Sequence, residues 1–145
     1  MMYTSNDKLP INKRNQRSIF LAGSMDHKQE GSWRDTISVE FRTYSIFDPT
    51  NNNHEHLTTK EMKQHINWEL DGLQLSDMIL LNFLPDALSP ISLEELGMYV
   101  RSNKLIVICP QEFYKSNYVH TLCKKYNTPI FNNITEAKTL LKNSL

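Results

Sequence analysis

Residues 77–83 read DMILLNF. An aspartate opens the run, apolar side chains fill it without alternation, and an asparagine and a phenylalanine close it. An unbroken apolar stretch of this length reads as a strand buried on both faces, central in its sheet. Its neighbours agree. Upstream, residues 58–75 carry Met62, Ile66, Leu70 and Leu73 at helical spacing, and Thr58 with Glu61 makes a capping-box pattern at the start. Downstream, the loop LPDALSP leads into helical residues 91–101, and KLIVIC at 104–109 is a second buried strand.

The same alternation extends to both ends. SIFLAG at 18–23 reads as a strand, residues 32–44 as a helix with Trp33, Ile37, Phe41 and Tyr44 on one side, and residues 45–47 as a short strand closed by Asp48-Pro49. Beyond KLIVIC come a helix at 114–126, a strand at 128–131 and a helix at 135–145. Strands separated by helices pair in parallel, with helices on both faces. The expectation is an α/β chain: a doubly wound, five-stranded parallel sheet, flavodoxin- or Rossmann-like, in strand order 2-1-3-4-5. Residues 1–17 read as a polar arm, mobile as far as Asn15 or ordered by a partner subunit, and residues 18–145 as one domain.

Bulk composition narrows the function. The 145 residues carry 16 basic and 16 acidic side chains. A balanced chain lacks the basic face that a nucleic-acid polymer requires, while a single nucleoside or nucleotide remains open. Cys109 and Cys123 form no CxxC pair and lie in apolar or helical surroundings, as expected of reduced, buried thiols in a cytoplasmic protein. No apolar run approaches the ~18 residues of a membrane span, and the N-terminus has no apolar signal core. Nor is there a GxGxxG or P-loop motif, so neither a dinucleotide cofactor nor ATP is implied. His54-Glu55-His56 lacks an evident third ligand and reads as solvated loop, leaving no metal site.

In doubly wound sheets, ligands bind beyond the carboxyl ends of the strands. Those ends are Gly23-Ser24-Met25, Asp48-Pro49-Thr50, residues 83–92 and residues 110–112. The third contains SPISLEELG. Ser89-Pro90 suits an N-cap with proline at the first helical position, and Ser92 with Glu95 fits the S-x-x-E capping box. A carboxylate held at the mouth of a parallel sheet can equally attack an anomeric carbon and form a glycosyl ester. A second carboxylic acid would then protonate the leaving group; Glu69, Asp71, Asp48 and Asp77 are the candidates. Asp48 is either a turn former or a pocket acid. Phe83, at a strand end, is a candidate to stack on a base, as Trp33 or Trp68 is if not simply core. Gly23 and Gly97 suit close backbone approach.

Several of these pieces together resemble the nucleoside 2-deoxyribosyltransferase-like superfamily, in its more divergent branch. They are IFLAGSM, FDPT, INWELDGLQLSDMILLNF, PISLEELGMY, KLIVIC and FYKSNYVHTLCKKYN, which run in order over residues 18–131. The resemblance implies that Glu95, the glutamate of the E-L-G element, is the nucleophile. It implies that Glu69, eight residues before Asp77, assists the departing base, where the family often has aspartate. Asp77 matches the strand-opening acid, with a supporting role. At Ser89 deoxyribosyltransferases tend to carry an aspartate that holds the sugar hydroxyl, whereas the related deoxynucleoside 5′-monophosphate N-glycosidases carry a serine that bonds the phosphate. Ser24 matches a second such serine. A hydroxyl donates to phosphate where a carboxylate repels it. Gly23, Ser24, Met25, Asp48, Phe83, Ser89 and Ser92 are thus expected around the substrate. The implied activity is N-glycosidic bond cleavage without a cofactor, the sugar passing to another base or to water, in a homo-oligomer. A nucleotide sensor without turnover is the third reading.

Overall fold

The unbroken apolar run at the centre of the sequence forms β4 (Met78–Asn82), and all five of its residues are buried. The computed structural model describes residues 1–10, 16–25, 32–51 and 53–144. In chain order the elements are β1 (Met2–Tyr3), β2 (Ser18–Gly23), α1 (Trp33–Glu40), β3 (Ser45–Phe47), α2 (Thr59–Leu75), β4, α3 (Pro90–Tyr99), β5 (Leu105–Ile108), α4 (Ser116–Lys125), β6 (Ile130–Phe131) and α5 (Ile134–Asn143). The strands make one sheet in the order β1-β3-β2-β4-β5-β6. Without β1 this is the expected flavodoxin-like order.

The sixth strand is the difference. It comes from the segment read as a polar arm. Met2 and Tyr3 pair in parallel with Ile46 and Phe47, and Trp68 Nε1 donates to the Asp7 carbonyl at 3.1 Å. A two-residue strand offers no alternation to read, which is why the sequence pattern missed it. Residues 11–15, to which mobility was also ascribed, lie outside the described residues.

Contacts divide the chain into two units, residues 1–21 with 26–77 and residues 22–25 with 78–145. In the first unit, β2 pairs in parallel with β3 from Ser18↔Ser45 to Phe20↔Phe47. Phe20 packs tilted on Trp68, their ring centroids 6.1 Å apart. Gly72 lets α2 come close, since a Cβ there would lie 2.8 Å from the Phe20 ring. The buried residues of α2 are His65, Trp68, Gly72 and Leu73. Ile66 and Leu70, read from spacing as part of the buried stripe, are exposed instead; the helix is rotated so that an imidazole and an indole face inward. In the second unit, β4 pairs with β5 from Ile79↔Leu105 to Asn82↔Ile108, and β5 with β6, all in parallel. α5 covers β5 and β6. Leu80 is fully buried, and its truncation to alanine would cost about 2–5 kcal/mol. Among the described residues, no helix is long and apolar enough to cross a membrane.

Candidate active site

The turn after β2 is built on a backbone that only glycine adopts easily. Gly23 has φ 127°, and a Cβ there would run into Asn82, 2.7 Å from its nitrogen. This close approach lets the Ser24 N–H donate to the Asn82 carbonyl at 2.9 Å. The buried Ser24 hydroxyl accepts from the Leu84 N–H at 2.9 Å and lies 2.5 Å from the Ser89 hydroxyl. Tyr114 OH donates to the Leu88 carbonyl at 2.9 Å. The loop 84–88 is therefore tied down at both ends, and its last bond sits one residue before Ser89. Ser24 and Ser89, 65 positions apart in sequence, are thereby brought together. Met25, next to them in sequence, is exposed.

Ser89 is the N-cap of α3 and Pro90 its first residue, but the cap is unusual. Ser89 adopts the left-handed conformation, φ 53° and ψ 52°, and its side chain makes no capping bond. A non-glycine residue there carries strain of about 1–2 kcal/mol. The hydroxyl is turned to Ser24 rather than to its own helix. The Ser92–Glu95 capping box expected from the sequence is absent, because the helix starts at Pro90 and both residues lie inside it. The first turn of α3 holds no acidic residue.

Glu94 and Glu95 separate cleanly once the helix is in place. Glu94 is exposed, whereas Glu95 is 7% exposed, and Ser92, three residues earlier on the same face, is 4% exposed. The helix carries apolar Ile91 and Met98 outward and turns a serine and a carboxylate inward. A folding-only helix would do the reverse, since a buried carboxylate costs free energy unless its surroundings answer it. The charge is felt locally: burial foremost, and then the negative charge of Glu95, push the Tyr99 phenol above its ordinary 10.0. The nearby thiols offer no competing nucleophile. Burial, with a smaller contribution from Cys123, pushes Cys109 up to about 12, and burial pushes Cys123 up to about 11; both stay protonated at neutral pH.

In the first unit, Glu69 lies one turn after His65 on α2, its Oε1 2.9 Å from His65 Nε2. His65 is 5% exposed. Its Nδ1 is buried with no hydrogen-bond partner among the described residues, a state that costs about 1–3 kcal/mol. The His54 ring, from the short 3-10 turn at His54–His56, meets it edge-on at 5.6 Å. Among the described residues, no group of three or more His, Cys, Asp or Glu could hold a metal ion.

Other expectations are corrected or sharpened. Phe83 is fully buried, and its ring lies tilted 4.7 Å from that of Phe113. Asp77 forms a reciprocal lock with the start of β2. Its Oδ2 accepts from the Ser18 N–H at 2.7 Å and the Ser18 hydroxyl at 3.2 Å, while its own N–H donates to Ser18 Oγ at 3.0 Å. That holds the amino-terminal end of β2, not the Gly23 end. Asp48 is buried and forms the turn after β3. Its Oδ1 accepts from the Thr50 N–H at 2.9 Å and lies 3.7 Å from Arg34 Nε. Gly97 has open space around it and serves no close approach.

Sequence reasoning missed Arg34 and His65, and one contact of Tyr114. Arg34 is 1% exposed, donates from Nε to the Leu21 carbonyl at 3.2 Å and sits over the Trp33 ring at 4.4 Å. Its spacing of three from Ile37 was a readable sign that it shares the buried face. His65 was hidden by the apolar decoys Ile66 and Leu70. For Tyr114, no local signal foretold the bond to Leu88.

With this geometry in view, the comparisons with known proteins are specific. The family described as "Nucleoside 2-deoxyribosyltransferase like" matches residues 16–113. No curated protein matches the chain.

Proposed function

Because the chain belongs to the nucleoside 2-deoxyribosyltransferase-like family, we propose that it cleaves the N-glycosidic bond of deoxynucleosides or deoxynucleotides through a deoxyribosyl ester on Glu95. The observation that carries this reading is the inward face of α3, where Glu95 is buried beside Ser92 while Glu94 stays in solvent. In the first step the Glu95 carboxylate attacks C1′, the C1′–N bond breaks, and the base leaves with a proton from Glu69. In the second step a nitrogen of another base attacks C1′, Glu95 is released, and Glu69 takes the proton back. Two inversions give net retention. Gly23, Ser24, Met25, Ser89 and Ser92 form the substrate-binding group in this reading, with Asp48 assigned to the substrate by its place at a strand end. Asp77 acts through structure by fixing the start of β2.

A second reading has its own observation. The Ser24–Ser89 hydroxyl pair sits at the amino end of α3, where amide donors and the helix dipole favour an anion. That arrangement favours a deoxynucleoside 5′-monophosphate, with water as the acceptor. Exposed Ile66 and Leu70 on α2, and exposed Ile91 and Met98 on α3, support assembly with further copies of the chain. Cys109 and Cys123 are free and buried, which supports a reducing compartment such as the cytoplasm.

The test is chromatography after incubation with a panel of deoxynucleosides and their 5′-monophosphates, with and without a spare base. Exchanged nucleosides are the expected result for a transferase, and free base with deoxyribose phosphate for a hydrolase. Ligand binding with no turnover of any substrate would leave a sensor and overturn the catalytic reading.

A further inference from the structure

His65 is a buried titratable side chain that the mechanism above does not use. Its environment is poor from the standpoint of folding alone. Nε2 reaches Glu69 Oε1 at 2.9 Å, but Nδ1 is buried without a partner among the described residues. A methionine or leucine would fill the same inward position beside Trp68 and Leu73 without orphaning a polar atom. The histidine therefore has a use that outweighs its burial, and among the described residues its ring bonds to Glu69.

Glu69 needs such a partner. A glutamate has one more rotatable bond than an aspartate, and its side chain is 20% exposed. An acid that hands a proton to a departing base must keep its oxygen within a few tenths of an ångström of one place. An ionised carboxylate only accepts hydrogen bonds, so with Glu69 ionised the His65 Nε2 carries the hydrogen and donates it. That bond, one helical turn long, holds Oε1 and leaves Oε2 as the oxygen that gives and retakes the substrate's proton.

We infer that His65 is a positioning residue for the leaving-group acid, fixing Glu69 through Nε2 so that its longer side chain can protonate the departing base. This rests on the reading of Glu69 given above. It predicts an effect on acid-dependent departure alone. A deoxyguanosine already methylated at N7 expels a neutral base with no added proton, so base release from it, the first step, does not use Glu69.

The experiment compares the single-turnover rate of base release from unmodified deoxyguanosine (or its 5′-monophosphate) with that from the N7-methylated form, for the unaltered protein, His65→Met, His65→Gln and Glu69→Gln, with thermal melts on each. The expected result is that His65→Met folds at least as stably as the parent. It should lose at least tenfold in that rate on the unmodified substrate, with little change in the substrate concentration giving half the maximal rate, and stay within twofold on the methylated one. Glu69→Gln should give the same selective pattern, and His65→Gln, which keeps a donor near the Nε2 position, should recover part of the loss. If His65→Met slows both substrates equally, or neither, while the parent turns both over, His65 is merely structural and the inference is overturned. If the parent cleaves neither substrate, the functional reading itself fails and takes the inference with it.

Discussion

The starts of α2 and α3 carry the same sequence pattern and make opposite structures. At α2, Thr58 Oγ1 accepts from the Glu61 N–H at 3.1 Å and Glu61 Oε1 accepts from the Thr58 N–H at 3.2 Å, the reciprocal box that the pattern promises. At α3, Ser92 and Glu95 have the same spacing but lie inside the helix, buried, behind an N-cap whose own side chain caps nothing. In the first case both residues are exposed and have only the helix to serve. In the second, the serine and glutamate face inward, and the N-cap falls three residues earlier, on a strained serine. A local motif reads correctly where local energetics decide, and misleads where the fold turns its residues inward.

Substitutions can break this contrast. The largest effect is expected at the two adjacent glutamates. Glu95→Gln should lower turnover on the order of 10³–10⁶-fold, with Glu94→Gln staying within about twofold, as an exposed position should. Steady-state kinetics on the pair checks this, and equal losses would erase the distinction drawn from burial. Next is Ser89→Asp, which sets a carboxylate beside Ser24. It should weaken use of 5′-monophosphates relative to nucleosides by roughly 10²-fold through like-charge repulsion, measured as a ratio of kcat/KM values. An unchanged ratio would remove phosphate from the vicinity of Ser89.

The third comparison concerns stability. Thr58→Ala should cost about 1 kcal/mol in a denaturant melt, as the loss of a working cap does. Ser89→Gly should stay within about 0.5 kcal/mol, since relief of the left-handed strain offsets the lost bond to Ser24. The smallest effect is a pH dependence at Glu61. Hydrogen bonds from Thr58 hold its carboxyl below the ordinary 4.5. A folded-state value below the unfolded one favours folding above 4.5 and loses that contribution as the pH falls through the lower folded value. Acid melts of the parent should therefore show a slight extra destabilisation below that pH that Glu61→Gln lacks.

Legibility in the sequence followed the same division. β4 and β5 are unbroken apolar runs because both faces are covered, so their reading and the strand order survived intact. β1 was illegible because two residues show no period. On α2 the apolar count pointed to Ile66 and Leu70, but tertiary packing turned His65 and Trp68 inward instead. The serine pair was legible only through resemblance, since no local rule joins Ser24 to Ser89. At Phe83 nothing in the sequence pointed to Phe113, because an aromatic at a strand end looks the same whatever ring it meets.

The most direct test of the account is mass spectrometry of peptides from the protein quenched in acid during turnover of a deoxynucleoside or its 5′-monophosphate, with no acceptor base added. The account predicts a deoxyribosyl or deoxyribosyl-phosphate adduct on Glu95, absent from Glu94 and lost in Glu95→Gln. Turnover with the sugar attached elsewhere, or with Glu95 unmodified throughout and dispensable, would contradict it.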